Sequence, residues 1–403
     1  MASQLSGAAV IGQSGGPTNV INQSLIGAIL EANKHPDLIT NLYGALNGVD
    51  GILKERFINL RAESQENLEL VARTPSSALR SVRKKPNAEE CQQIFKVFQK
   101  HGVRYFFYIG GNDSAETAYI INEAAKKANY EFNAVHIPKT IDNDLRETDH
   151  CPGFGSAARF VALAFQGANL DNRSLPGVYI GVVMGRHAGF LTAASVLGKK
   201  YEDDGPHLVY VPETTFVVDK FLADVDAVYK KYGRCIIAVS EGVHDEAGQP
   251  IIQVVRGKVE TDSHGNVQLS GSGALGDALS DLIKEKLNIK RVRSDTFGYL
   301  QRCFPGIVSE VDQLEARQVG IEAVKAAVSG VGDGSVAIRR VSSNPYKVSY
   351  DVVPLEKVAR HTTELAKEYL VGDNGISQKF VDYALPLVGK LPELGRLSDA
   401  PIA

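Results

Sequence analysis

The chain has 403 residues, 44 basic and 47 acidic, for a net charge of −3, and a hydrophobic share of 44% that suits a globular protein of roughly two to three domains. No apolar run approaches the roughly 18 residues of a membrane helix, and MASQLSGAAVIGQSGG lacks a basic segment ahead of a long apolar stretch, so neither a span nor a secretory leader is expected. The near-neutral balance argues against a general nucleic-acid binder, and any anionic ligand must be met by a local basic cluster.

In chain order, short apolar runs alternate with helical stretches. GAAVIGQ (7–13) reads as a buried strand, followed by an amphipathic helix over 18–35 with Thr18 or Asn19 as N-cap. RYFFYIG (104–110) is strand-like and leads to a helix from Ser114 to Ala128. NAVHIPK (133–139), PGVYIGVVMG (176–185) and RCIIAVSEG (234–242) repeat the strand-then-glycine pattern, which predicts doubly wound α/β sheets. Residues 1–150 read as a first α/β unit, 151–300 as a second, 301–330 as a helical return to the first, and 331–403 as a C-terminal extension with two short strands and a helix. Cys91, Cys151, Cys235 and Cys303 are widely spaced and form no metal set; free thiols in a reducing cytoplasm are expected.

Candidate chemistry sits at predicted strand ends, where doubly wound sheets bind ligands. GQSGG (12–16) can bring backbone N–H groups close to an anion, or simply turn. It is no P-loop, lacking the lysine at the required spacing. GGNDS (110–114) sets Asn112 and Asp113 at a helix start, as caps or as holders of a Mg²⁺–phosphate. In PKTIDNDL (138–145), Asp142 and Asp144 would share a face if extended, one as general base and one as metal or hydroxyl partner, with Lys139 beside them. MGRHAGFL (184–191) places Arg186, a phosphate fork, at an expected helix start; His187 reads as structural or exposed. Glu241 in SEG (240–242) would bind a hydroxyl or cap a helix, and RVRSDTFGYLQR (291–302) adds Arg293 and Arg302.

In this order GQSGG, GGNDS, PKTIDNDL, GFGSA (153–157), MGRHAG, SEG and GYLQR (298–302) resemble the phosphofructokinase family over about three quarters of the chain. GGND alone is also similar to a motif of NAD and diacylglycerol kinases, which lack the TIDND and MGR elements. The resemblance implies two Rossmann-like α/β domains, the donor domain first and the sugar-phosphate domain second, and phosphoryl transfer to the 1-hydroxyl of fructose 6-phosphate. It implies Asp142 as base, with Thr140 and Ile141 in the substrate turn. It places Met184, Gly185 and Arg186 on the sugar phosphate, Glu241 on sugar hydroxyls, and Tyr299 and Arg302 on the 6-phosphate. Arg293 would come from a neighbouring subunit of a homodimer or homotetramer. Gly15 and Arg83 would meet the donor, and Asn112, Asp113 and Asp144 would hold Mg²⁺.

Donor choice turns on two positions. ATP-dependent members usually carry glycine where this chain has Asp113, whose carboxylate would repel the α-phosphate of a nucleotide. Thr117 likewise stands where nucleotide users often keep glycine. Lys139 matches pyrophosphate users, so the chain resembles the diphosphate-dependent branch, expected in the cytoplasm, with sedoheptulose 7-phosphate open as a second acceptor. The alternatives are an ATP-dependent 6-phosphofructokinase and a non-catalytic regulatory subunit; Asn112, where many members have aspartate, motivates the latter. Two further departures are Arg80, where glycine is common, and Gly177, where some members carry an arginine for which Arg173 is the substitute.

Overall fold

The computed structural model describes residues 5–257 and 273–398. Strands β1 (Gly7–Gln13), β2 (Ile39–Ala45), β3 (Phe57–Asn59), β4 (Val103–Gly110) and β5 (Asn133–Pro138) build the first sheet. Strands β6 (Val178–Val183), β7 (Leu208–Tyr210), β8 (Cys235–Ser240) and β9 (Val292–Thr296) build the second. β10 (Gly334–Ser343) and β11 (Tyr346–Val353) then return to the first, giving the order β11-β10-β5-β4-β1-β2-β3; the second runs β7-β8-β6-β9. In the first sheet the central pairings are parallel and the edge pairs β10–β11 and β2–β3 are antiparallel.

The apolar runs follow from this topology. A central parallel strand is covered on both faces, so it needs side chains of one character rather than alternation. Phe106 and Tyr108 of β4 pack against helices on one face, while Tyr105, Phe107 and Ile109 face the core on the other. The second sheet is likewise covered on both faces. The fold is thus the doubly wound α/β architecture expected.

Helix boundaries depart from the expectation at one informative place. The first helix spans Ile21–Ala32, and Val20 occupies its N-cap without a side-chain bond. Thr18 and Asn19 are committed elsewhere: the Thr18 hydroxyl accepts from Val20 N at 3.2 Å, and Asn19 Nδ2 donates to the Ile307 carbonyl at 3.0 Å. The helix expected over 114–128 shifts by only a residue or two, to Asn112–Lys127.

The Glu310–Val328 helix packs on Ile21–Ala32 at a crossing that glycine makes possible. A Cβ on Gly27 would sit 2.1 Å from the Arg317 carbonyl oxygen, and one on Gly320 2.1 Å from that of Ser24. Gly320→Ala should therefore push the helices apart and cost roughly 1–3 kcal/mol in urea unfolding. Gly167, exposed within Phe154–Ser174 and with open space around it, provides the opposite sign. Gly167→Ala should stabilise by about 0.5–1 kcal/mol. Equal effects at the two sites would contradict the packing argument.

Residues 331–398 are not an isolated appendage. β10 pairs with β5, and the Gln378–Val388 helix buries Phe380, Ala384, Leu387 and Val388 in the cluster that also holds Phe154, Ala157 and Phe165. A buried ionic group ties the extension to the segment before Gly153. His150 Nδ1 meets Asp149 at 2.8 Å and Nε2 meets Glu315 at 2.5 Å, while Arg340 of β10 holds Asp149 at 2.9 Å. Burial opposes charge on His150, but its two carboxylate bonds outweigh that and push its pKa up to about 9.

Its contribution to stability is therefore whole below pH 6.5 and is lost as pH climbs from 6.5 to 9. His136 behaves oppositely. Burial holds it neutral, with its pKa pushed down to about 4, so stability is lost as pH falls from 6.5 towards 4. His150→Gln should cost roughly 3 kcal/mol near pH 6, and the gap to the unmodified protein should narrow by pH 9 in denaturation curves. A gap independent of pH would contradict the charged state of His150.

Candidate active site

β5, β4 and β1 lie side by side and parallel, so their carboxyl ends release three loops at one edge. They surround a cavity of about 710 Å³ lined by Gly15, Arg83, Asn112, Asp113, Lys139, Thr140, Ile141, Asp142, Asp144 and Arg302. The loops are mutually pinned. Ser14 N donates to the Ile109 carbonyl at 2.9 Å, Lys139 N to that of Gly110 at 2.9 Å, and the Ser14 and Ser114 hydroxyls bond each other. The 79–83 segment joins them: Leu79 N donates to Gln13 Oε1 at 2.8 Å, Gly15 N to the Val82 carbonyl at 3.1 Å, and Ser81 Oγ to the Gly15 carbonyl at 2.6 Å. Arg83 is thereby set on the wall.

Lys139 is 3% exposed and its Nζ donates to the Gly16 carbonyl at 2.7 Å. Gly15 has φ 75° and a Cβ there would lie 3.2 Å from this Nζ, so glycine both permits the turn and leaves the ammonium open towards the cavity. Burial, then the Arg302 guanidinium, push the Lys139 pKa down to about 8. A bound anion would reverse that, so the site is built to receive negative charge.

Asp142 and Asp144 both line the cavity, but not on an extended strand. Asn143 between them is left-handed, φ 59°, and Asp142 N donates to Thr140 Oγ1 at 3.1 Å, making a tight turn. Burial raises the pKa of Asp142, against the opposing pull of Arg302 and Lys139. Burial, then the neighbouring Asp142 charge, push Asp144 up to about 6. Two acids with different environments on one cavity is the arrangement expected of one base and one cation partner.

Asn112 Oδ1 is buried without a hydrogen-bond partner, and Asn112 Nδ2 donates weakly to Asp144 Oδ2 at 3.4 Å. An orphaned carbonyl oxygen beside a carboxylate is a fitting seat for Mg²⁺, which keeps several waters and takes few protein oxygens. Among the described residues no group of three His, Cys, Asp or Glu side chains forms a closed metal cage.

The second half of the candidate site lies at the ends of β6 and β8, also parallel neighbours; its Met184, Gly185, Arg186 and Glu241 do not themselves line the cavity of about 710 Å³. Met184 N donates to Gln301 Oε1 at 3.3 Å, Ser240 Oγ to the Gly185 carbonyl at 2.5 Å, and a Cβ on Gly242 would be 2.1 Å from the Arg186 carbonyl oxygen. Arg186 and His187 are exposed in a turn; the helix begins only at Phe190, so the expected helix start at Arg186 is corrected. Glu241 is buried in a turn and starts no helix, which removes its capping role. Arg302 stacks over the Tyr299 ring at 4.9 Å and feels the charges of Asp142 and Glu241, linking the two halves.

The model of the family described as Phosphofructokinase matches residues 8–327. The chain belongs to the phosphofructokinase family. It is 56% identical over 399 residues, 98% of each chain, to the pyrophosphate–fructose 6-phosphate 1-phosphotransferase of Rhodospirillum rubrum. It is 36% identical to the enzyme of the same name from Halomonas elongata, covering 93% of this chain and 90% of that one. Among solved structures it is similar to the pyrophosphate-dependent phosphofructokinase of Marinobacter aquaeolei, with a TM-score of 0.84 at 34% identity, covering 97% and 94% of the two chains.

Within this phosphofructokinase frame some expected residues fall outside the cavity. Arg293 is exposed on β9, the edge strand of the second sheet, with its guanidinium on the Val292 carbonyl at 3.0 Å. Arg173 pairs with Asp203 at 3.3 Å on a separate cavity, and Gly177 is packed with a Cβ position 2.6 Å from the Arg291 carbonyl oxygen. Arg80 is exposed with φ 61°, a left-handed backbone that favours glycine, and it does not line the cavity. Lys84 and Lys85 do line it, and the basic run after Arg83 is their signal in the sequence. Gln301, fully buried against Met184, lies inside GYLQR, but nothing in the motif assigns it a partner.

Proposed function

We propose that the chain transfers a phosphoryl group from pyrophosphate to the 1-hydroxyl of fructose 6-phosphate, reversibly, giving fructose 1,6-bisphosphate and phosphate. The observation that carries the reading is Asp113 facing the same cavity as the buried Lys139. The first bars a nucleotide tail, and the second meets a compact, highly charged donor. The high identity to enzymes of this name supports it.

Asp142 takes the proton of the 1-hydroxyl as its oxygen forms a bond to the nearer phosphorus of pyrophosphate and the bridging P–O bond breaks. Lys139, Arg83 and the Gly15 turn hold the leaving phosphate. Met184, Gly185, Arg186 and Glu241 hold the sugar, and Tyr299 and Arg302 its 6-phosphate. Mg²⁺, seated by Asn112 and Asp144 with Asp113 at the rim, would supply charge neutralisation on the diphosphate. Arg293, exposed on its edge strand, reaches a cleft from a second copy in a homodimer or homotetramer. The unpaired thiols fit a cytoplasmic enzyme, and no helix among the described residues is long and apolar enough to cross a membrane.

Purified protein with Mg²⁺, fructose 6-phosphate and pyrophosphate should form fructose 1,6-bisphosphate, and ATP should replace pyrophosphate poorly. Turnover with ATP and none with pyrophosphate overturns the reading. Sugar-phosphate binding with no turnover on either donor marks a regulatory subunit instead.

A further inference from the structure

The family match ends at residue 327, yet residues 360–383 bond to the acid turn directly and reach Gly189 and Lys85 through Glu213 and Glu116. The acid turn is held from both sides. Thr363 N donates to the Asp144 carbonyl at 2.7 Å, and Thr362 forms a bridge with Leu145. Asn143 Nδ2 donates to the Tyr383 hydroxyl at 2.8 Å, and that hydroxyl donates to the Asp149 carbonyl at 2.9 Å. Tyr383 is itself stacked on Tyr369, with centroids 5.5 Å apart.

The sugar loop is held through Glu213. One carboxylate oxygen, Oε1, accepts from Leu365 N at 2.8 Å and from Gly189 N, at the end of MGRHAG, at 2.9 Å. The basic wall is held through Glu116, which bonds Arg360 at 2.5 Å and Lys85 at 2.5 Å.

We propose that residues 360–383 form a positioning strap that sets the acid turn, the sugar loop and the basic wall in register with one another. The inference rests on the pyrophosphate reading for what is being positioned. A left-handed asparagine between the two acids is permitted by its own chemistry but not fixed by it, so contacts from outside the turn must hold the conformation. Three loops rooted in two different sheets have no common backbone to fix their spacing, and a misplacement of about 1 Å can cost about a hundredfold in rate. Bonds from one continuous segment, two through its backbone N–H groups and two through the Arg360 and Tyr383 side chains, supply the missing ruler.

The test compares Tyr383→Phe, Glu213→Ala and Glu213→Gln in the full chain, reading melting temperature, kcat, both KM values and calorimetric affinity for fructose 6-phosphate. Tyr383→Phe should lower kcat about tenfold with KM values within about threefold, because it frees the acid turn. Glu213→Ala should weaken fructose 6-phosphate about tenfold, and Glu213→Gln, which keeps an acceptor oxygen, should restore most of that affinity. Lower melting temperatures with unchanged kinetic constants and affinities would overturn the strap. If the unmodified protein does not turn over pyrophosphate, the donor reading fails by itself. The strap is then judged on fructose 6-phosphate affinity, and equal affinity in Glu213→Ala and the unmodified protein overturns it.

Discussion

Asp142→Ser should lower turnover with pyrophosphate by roughly 10²–10⁴-fold, the range spanned by loss of a general base. The sugar 1-hydroxyl is a poor nucleophile until its proton has an acceptor, and serine cannot hold that proton near neutrality. The KM for fructose 6-phosphate should move only a few-fold, because Met184, Gly185, Arg186 and Glu241 lie on other loops, at the ends of β6 and β8. The reverse reaction should fall by the same factor, since the base forward is the acid backward. The fold should not suffer. Burial already raises the Asp142 pKa, meaning that the native structure disfavours its charge, so removing the carboxylate should leave the melting temperature unchanged or higher. Steady-state kinetics in both directions checks this, and an unchanged kcat excludes Asp142 as the base.

Asp113→Gly should raise the efficiency with ATP by up to about a thousandfold while lowering that with pyrophosphate much less. Asp113 is exposed on the cavity rim in the first turn of the Asn112–Lys127 helix. Two like charges 4 Å apart repel by about 4 kcal/mol at an effective dielectric of 20, which is roughly a thousandfold in affinity before relaxation. A glycine there also clears space for the α-phosphate and lets it approach the helix N-terminus. The change has a stability cost of roughly 1 kcal/mol, because an acid in the first turn complements the helix dipole and glycine disfavours helix. Parallel assays with ATP and pyrophosphate decide it. No gain with ATP would mean that Asp113 is not the barrier, and Thr117, which lines the same cavity, becomes the next position to replace.

Much of the cleft was legible because its residues sit where parallel strands stop. GAAVIGQ, RYFFYIG and NAVHIPK are continuous apolar runs because β1, β4 and β5 are covered on both faces, and each is followed at once by glycine or an acid turn. Asp113, Lys139, Asp142 and Asp144 could therefore be assigned to strand ends before any coordinates. Helix starts were less legible. Thr18 and Asn19 have the chemistry of caps, but Asn19 is spent on Ile307, 288 residues away, which local pattern cannot reveal. Arg186 follows a strand and Gly185, as helix starts do, yet Gly185 has φ 144°, Arg186 and His187 lie in a bend, and the helix begins only at Phe190.

The sequence alone set the pattern of strand-end glycines, paired acids beside a lysine, and Asp113 at a helix start; the phosphoryl-transfer roles proposed for them come from the ordered resemblance to the phosphofructokinase family. Such patterns are properties of short segments, and the physics that selects their residue types acts over a few bonds. Only the tertiary structure decided which basic groups share the cavity, bringing in Lys84 and Lys85 and leaving Arg293 on an edge strand. It also decided where residues 331–398 belong, pairing β10 with β5 and tying Thr363, Leu365 and Tyr383 to loops far earlier in the chain. The Thr363 and Leu365 contacts use backbone N–H groups that every residue carries, and the Tyr383 hydroxyl meets an Asn143 amide 240 residues away. Their partners are set by the packing of two sheets, and no side-chain pattern in the chain encodes them.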